Sequence, residues 1–166
     1  MHLVGLAMRK LRHLMLVAAA FGCFCWSTYA QAVPPSIAYD ADLAKKLGAD
    51  ERGMKMYVLC ILKTGPKDAK VKGKVRDAAF AGHMANIGRL ADEGKLAVAG
   101  PFEKNSLSYR GLFIFNVSTI EDAEKLVRTD PAVKAGIFKY DLILWYGSAS
   151  LMATPEIHKT IQRVQF

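Results

Sequence analysis

From Met56 onward the apolar residues switch back and forth between strand-like and helix-like spacing, and the order of the switches restricts this chain more than any other feature. Tyr57 to Lys63 is a continuous apolar run closed by Gly65-Pro66 and reads as a strand. From about Val75 to Glu93, Phe80, Met84, Ile87 and Ala91 recur at helical spacing and define a buried face. Gly94 lies just past that helix, where a left-handed residue is favoured. Leu96 to Phe102 and Gly111 to Val117 read as two strands joined by the polar loop EKNSLSYR. Ser118 and Glu121 match a capping box that opens a helix running to about Arg128. Asp130-Pro131 reads as the N-cap and first residue of a short turn stopped by Gly136, and Ile137 to Tyr146 as the last strand. Strand, helix, strand, strand, helix, strand is the split βαβ order of a ferredoxin-like α+β domain. It predicts one antiparallel βαββαβ sheet with both helices on one face.

The strands carry a second expectation. LAVAG, GLFIF and DLILWY are apolar at consecutive positions, so both faces of the sheet are apolar, whereas a sheet wetted on one side alternates. Two helices cover one face. The other is an apolar patch of the kind that marks an interface, and a homodimer packed sheet against sheet is its simplest partner.

Outside residues 56–149 the chain reads as accessories. Arg9, Lys10 and Arg12 precede the uncharged run Leu14 to Trp26, and Ala30-Gln31-Ala32 offers small residues for cleavage before Val33. Residues 1–32 therefore read as a secretory signal peptide, with Met8 as a possible true start and with a periplasmic or secreted mature protein. The alternative is a lipid anchor at Cys23, to which Ala20 and Phe21 fit poorly. The apolar run is too short for a comfortable membrane span, so no stable span is expected in the mature chain. Residues 33–55 form a leader with a short helix from Ala41 to Leu47 ended by Gly48, and residues 150–166 a tail, helical from about Pro155 to Val164.

Removing the signal also removes Cys23 and Cys25, leaving Cys60 as a lone buried thiol and no intramolecular disulfide. It takes away three positive charges, lowering the formal net charge from +8 to +5. Part of the remaining excess is local, with Lys63, Lys67, Lys70, Lys72, Lys74 and Arg76 around one loop. That loop is either a solvated surface or an attractor of anionic ligands. Nucleic acid is an unexpected partner for an exported chain without a matching motif.

Few residues are equipped for chemistry. On a helical wheel His83 falls beside Phe80, Met84 and Ile87, pointing toward the sheet. It is either a satisfied core histidine or a general acid–base, since imidazole titrates near neutrality. A carboxylate on the other ring nitrogen would fix its tautomer, and Asp130 is the candidate; its alternative role is capping alone. Arg110, opening the third strand, is either a solvated charge or the partner of a substrate carboxylate or phenolate. No metal site is expected: His158 lies apart, and no HxH, CxxC or HExxH spacing occurs. No glycine pattern suggests a nucleotide loop, and no cofactor is expected. There is no GxSxG turn for a serine nucleophile, and the sequon at Asn116 falls at a strand end and is read as chance.

Taken in order, YVLCILKTG, the helix GHMANIGRLADEGKL, AGPF, RGLFIFNVSTIEDAEKLV, TDPAVKAGIF and LILWYGSA resemble the YCII-related family over about Met56 to Ala149. The resemblance implies a ferredoxin-like fold that dimerises into an α/β barrel and a site built around His83 and Asp130. It also implies chemistry of the elimination or isomerisation type on a small aromatic or carbonyl-bearing molecule; Phe102 and Arg110 are the residues expected to line the substrate pocket of such an enzyme. Fold-level analogy is weak evidence for a reaction. Two alternatives therefore stand beside the cofactor-independent lyase or isomerase: a non-catalytic small-ligand binder using the same cleft, and an interaction module whose tail docks a partner.

Overall fold

In the computed structural model the described residues are 38–164. The signal peptide expected over residues 1–32, the alternative anchor Cys23 and the first leader residues lie outside them. Four strands, β1 (Met54–Thr64), β2 (Leu96–Pro101), β3 (Tyr109–Phe115) and β4 (Phe138–Ser148), form one sheet in the order β2-β3-β1-β4. Every neighbouring pair is antiparallel. Helix α1 (Ala41–Leu47) precedes the sheet, α2 (Gly73–Asp92) joins β1 to β2, and α3 (Ile120–Val127) with the one-turn α4 (Pro131–Lys134) joins β3 to β4. This is the ferredoxin-like α+β arrangement. No helix among the described residues is long and apolar enough to cross a membrane.

The ends of the elements follow local chemistry. Asp40 caps α1 by accepting from Leu43 N, and Gly48 ends it at φ 71°. Gly94 (φ 66°) turns the chain out of α2, while Gly94 N and Lys95 N donate to Ala91 and Leu90 carbonyls. The cap of α3 lies one residue later than the capping-box reading: Thr119, not Ser118, accepts from Asp122 N. Starting the helix at Ile120 lets that side chain pack against the core.

One face of the sheet carries Val58, Cys60, Leu62, Phe113, Phe115 and Phe138, packed under α2 and α3. The face that α2 buries is rotated by one residue from the expected one. Ala79, His83, Asn86 and Leu90 are buried, while Phe80, Met84, Ile87 and Ala91 are half-buried flanks. The polar residues in the stripe have partners: His83 is bonded to Asp130, and Asn86 Oδ1 accepts from Arg89 and Thr129. Polar groups with such partners can stand in the centre of a contact, although Asn86 Nδ2 has none.

The second face is not left bare. β4 continues into a 3₁₀ turn (Ala149–Ala153) and α5 (Thr154–Ile161). Leu151 and Met152 of that turn lie against a cluster of Tyr57, Ala97 and Ile114, with Trp145 alongside. Tyr57 OH donates to Ser148 O (3.0 Å), fastening the point where the tail leaves the sheet. A bulge between Leu96 and Val98 is what puts both Ala97 and Val98 on this side. The tail thus covers part of the face, and β4 keeps Ile143, the register partner of Leu59, half in solvent there.

Candidate active site

The site is assembled by an approach of α2 to α4 that depends on one missing side chain. A Cβ on Gly82 would lie 2.7 Å from Pro131 Cγ, closer than real Cβ contacts come. Without it, the Pro131 ring lies against α2, and the residues next to these two, His83 and Asp130, come together. His83 Nδ1 is 2.6 Å from Asp130 Oδ2, across 47 positions of sequence.

Asp130 has two jobs at once. Its Oδ1 accepts from Ala132 N (2.8 Å) and Val133 N (3.4 Å), which caps α4 as the Asp-Pro step suggests. Its Oδ2 receives His83. The side chain is fully buried, where a carboxylate needs compensating donors, and these three groups supply them. Because an ionised carboxylate only accepts, Nδ1 of a neutral His83 carries the ring proton and Nε2 carries the lone pair. Among the described residues Nε2 has no hydrogen-bond partner, and the one fully buried side-chain polar atom without a partner is Asn86 Nδ2. The imidazole therefore retains a small solvent-touched part; its side chain is 11% exposed.

Aromatic rings form the walls. The imidazole stacks on Phe113 (5.8 Å between centroids, 30° between planes) and meets Phe138 (5.4 Å) and Phe80 (6.2 Å) edge-on. Two arginines lie on this wall: Arg76 over Phe80 at 5.1 Å and Arg110 over Phe138 at 5.5 Å. Asp68 joins them, 2.9 Å from Arg76 and 3.4 Å from Arg110. The Lys-rich loop is thus partly structural, since Arg76 also donates to the Asp68 and Val71 carbonyls and Lys63 pairs with Asp141 at 2.6 Å. Cys60 lies in the same core. Burial, and after it the charges of Asp130 and Asp141, push its thiol up to about 12. It is a protonated packing group and not a nucleophile.

Phe102 and Arg110 stand apart from the dyad. Both line an open cleft of about 410 Å³ beside the β2–β3 loop, whose walls are otherwise Thr64, Lys104, Asn105, Ser108 and Tyr109. His83 is not among its lining residues, and the two regions are linked through Arg110 and Phe138. His158 is exposed on α5, and among the described residues no three His, Cys, Asp or Glu side chains cluster as a metal site. Sequence reasoning passed over Gly82, Asp68, Phe113 and Phe138. For Gly82 a signal existed, since a glycine inside a helical pattern costs stability and commonly has a packing reason. The others needed the strand register.

Among solved structures, the chain is similar to a 5-chloro-2-hydroxyhydroquinone dehydrochlorinase from Burkholderia phenoliruptrix AC1100 in complex with 2,5-dihydroxybenzoquinone. The two are 22% identical, with 55% of this chain and 91% of that one covered and a TM-score of 0.39. No curated protein matches the chain. The profile of the YCII-related domain matches residues 56–146, from β1 to β4 and over more than half of the sequence. The chain belongs to the YCII-related domain family.

Proposed function

We propose that this protein is an exported, dimeric enzyme that moves a proton on a small aromatic or carbonyl-bearing molecule, with His83 as acid–base and Asp130 as its positioning carboxylate. One observation carries the reading. The 2.6 Å bond from Nδ1 to a fully buried carboxylate leaves Nε2 as the free nitrogen of an imidazole walled by aromatic rings. In the reaction Nε2 takes a proton from carbon beside a carbonyl, and the C–H electron pair moves into the carbonyl as an enolate. Return of that pair either expels a leaving group from the adjacent carbon, the imidazolium then giving its proton to the departing group or to water, or takes the proton back from the imidazolium at a different carbon. Asp130 stays ionised throughout and stabilises the imidazolium. The uncovered part of the second sheet face, with Leu59, Val98, Leu112 and Trp145 half-buried and Ile143 more open, supports the dimer.

The test is a substrate screen with the native protein and His83→Ala side by side. Turnover lost in a variant whose far-ultraviolet spectrum and sedimentation are native supports the reading; equal turnover in both overturns it. A binding-only reading has one observation in its favour, the cleft lined by Phe102 and Arg110 that His83 does not enter. Ligand binding by the native protein with no turnover of any screened compound would select it.

A further inference from the structure

The β2–β3 cleft has features of a site built in advance. Its loop is tied down by a single amide: Asn105 Nδ2 donates to the Glu103 and Tyr109 carbonyls (2.8 and 3.0 Å), and its Oδ1 accepts from Leu107 N and Tyr109 N (3.0 and 3.1 Å). Ser108 is held at φ 58°, a left-handed conformation that no other described non-glycine residue adopts. Its carbonyl accepts from Thr64 N (3.1 Å), which anchors the loop to the end of β1. Such strain persists only where the surroundings over-determine it.

The cleft these residues shape has two kinds of wall. Phe102, 40% exposed, and Tyr109 set their rings 5.9 Å apart at 42°, an open apolar corner. Lys104 and Arg110 bring the charge. Lys104 has no ion-pair partner among the described residues. Arg110 shares Asp68 with Arg76, at the longer of the two distances, so one carboxylate faces two guanidinium groups. The local excess is positive, and its volume of about 410 Å³ suits one small molecule.

We infer that this cleft is a binding subsite for a small aromatic carboxylate, its ring in the Phe102–Tyr109 corner and its carboxylate on Lys104 and Arg110. The planar guanidinium fork matches a carboxylate in two-point geometry. A simple phenol is uncharged at neutral pH and would leave the cations unanswered. The inference goes beyond the acid–base reading of His83, which lines no part of the cleft; Arg110, lying over Phe138, the ring that meets the imidazole edge-on, stands between the two regions.

Calorimetric titration of the full chain with benzoate tests it. Saturable binding with Kd on the order of 1 mM is expected, at least about tenfold weaker for benzyl alcohol. Lys104→Ala and Arg110→Gln should each weaken benzoate binding about tenfold. Lys104 is an exposed loop residue, so its variant stays informative should Arg110→Gln unfold. Equal binding of benzyl alcohol, equal or tighter binding of inorganic phosphate, unchanged affinity in Lys104→Ala, or no saturable binding of benzoate overturns the subsite. His83→Ala should bind benzoate as the native chain does. Turnover that depends on His83 without benzoate binding sinks the subsite alone, and benzoate binding with turnover independent of His83 sinks the acid–base reading alone.

Discussion

Pro131 packs its ring against the backbone of Gly82, 2.7 Å from where a Cβ at position 82 would sit. This contact sets the distance between α2 and α4. The neighbours of the two residues, His83 and Asp130, meet at 2.6 Å because of it.

Gly82→Ala should therefore cost about 1–3 kcal/mol, since neither the Pro131 ring nor the α2 backbone can yield cheaply. Gly88 is the control. It sits in the same helix with nothing within 4 Å of its virtual Cβ, so Gly88→Ala should stabilise by about 0.5–1 kcal/mol. Urea unfolding of the two variants measures the difference, and a Gly82→Ala protein as stable as Gly88→Ala would show that the contact has slack.

Asp130→Asn should keep the cap of α4, because the amide oxygen can still accept from Ala132 N and Val133 N. The amide NH₂ would face His83 Nδ1 and force the other tautomer, with the proton on Nε2. If His83 works as proposed, turnover falls by about 10²-fold or more while the melting temperature changes little. Nitrogen NMR of the imidazole reads the tautomer directly, and an unmoved tautomer would show that Asp130 does not set it.

Cys60 gives a pH dependence with a definite sign. Its folded thiol is raised from the ordinary 9.0 to about 12, first by burial and then by Asp130 and Asp141. Between those values the unfolded chain loses the proton while the folded chain keeps it, so stability is fully present below pH 9 and is lost as pH rises toward 12. Chemical unfolding from pH 8 upward should show the decline, and Cys60→Ala should flatten it while lowering stability at neutral pH. Iodoacetamide should leave native Cys60 unmodified at pH 8 and react once the chain is unfolded.

Leu151 and Met152 cover Tyr57, Ala97 and Ile114. Replacing both with alanine should destabilise the domain by about 2–4 kcal/mol and increase the fluorescence of a hydrophobic dye such as anilinonaphthalene sulfonate. Unchanged stability and fluorescence would mean that the tail only rests on the sheet.

Local signals placed most of the elements. Asp40, Gly48, Gly94 and the Asp130-Pro131 step act through their own backbones, so their effect is readable from neighbours in sequence. The misjudged details came from packing. A helical wheel centred α2 on Phe80 and Met84, whereas the contact with Pro131 and the partners of His83 and Asn86 turned the helix by a residue. The three-residue preference for Ser118 as a cap yielded to the burial of Ile120. The unbroken apolar strands announced that the second sheet face needs a cover, yet nothing local says that Leu151 and Met152 supply part of it.

The sequence by itself determined the order and type of the elements, and with them the antiparallel ferredoxin-like sheet, because hydrophobic period, caps and turn residues act over a few positions. It also narrowed the chemistry to His83 and Asp130 as residue types. Only the tertiary structure decided that Gly82 lets these two touch, that Phe138 and Arg110 link the imidazole to the cleft at Phe102, and that the tail covers part of the free face. Those relations join residues tens of positions apart. They depend on sub-ångström fits between side chains, which close packing sets and residue spacing does not record.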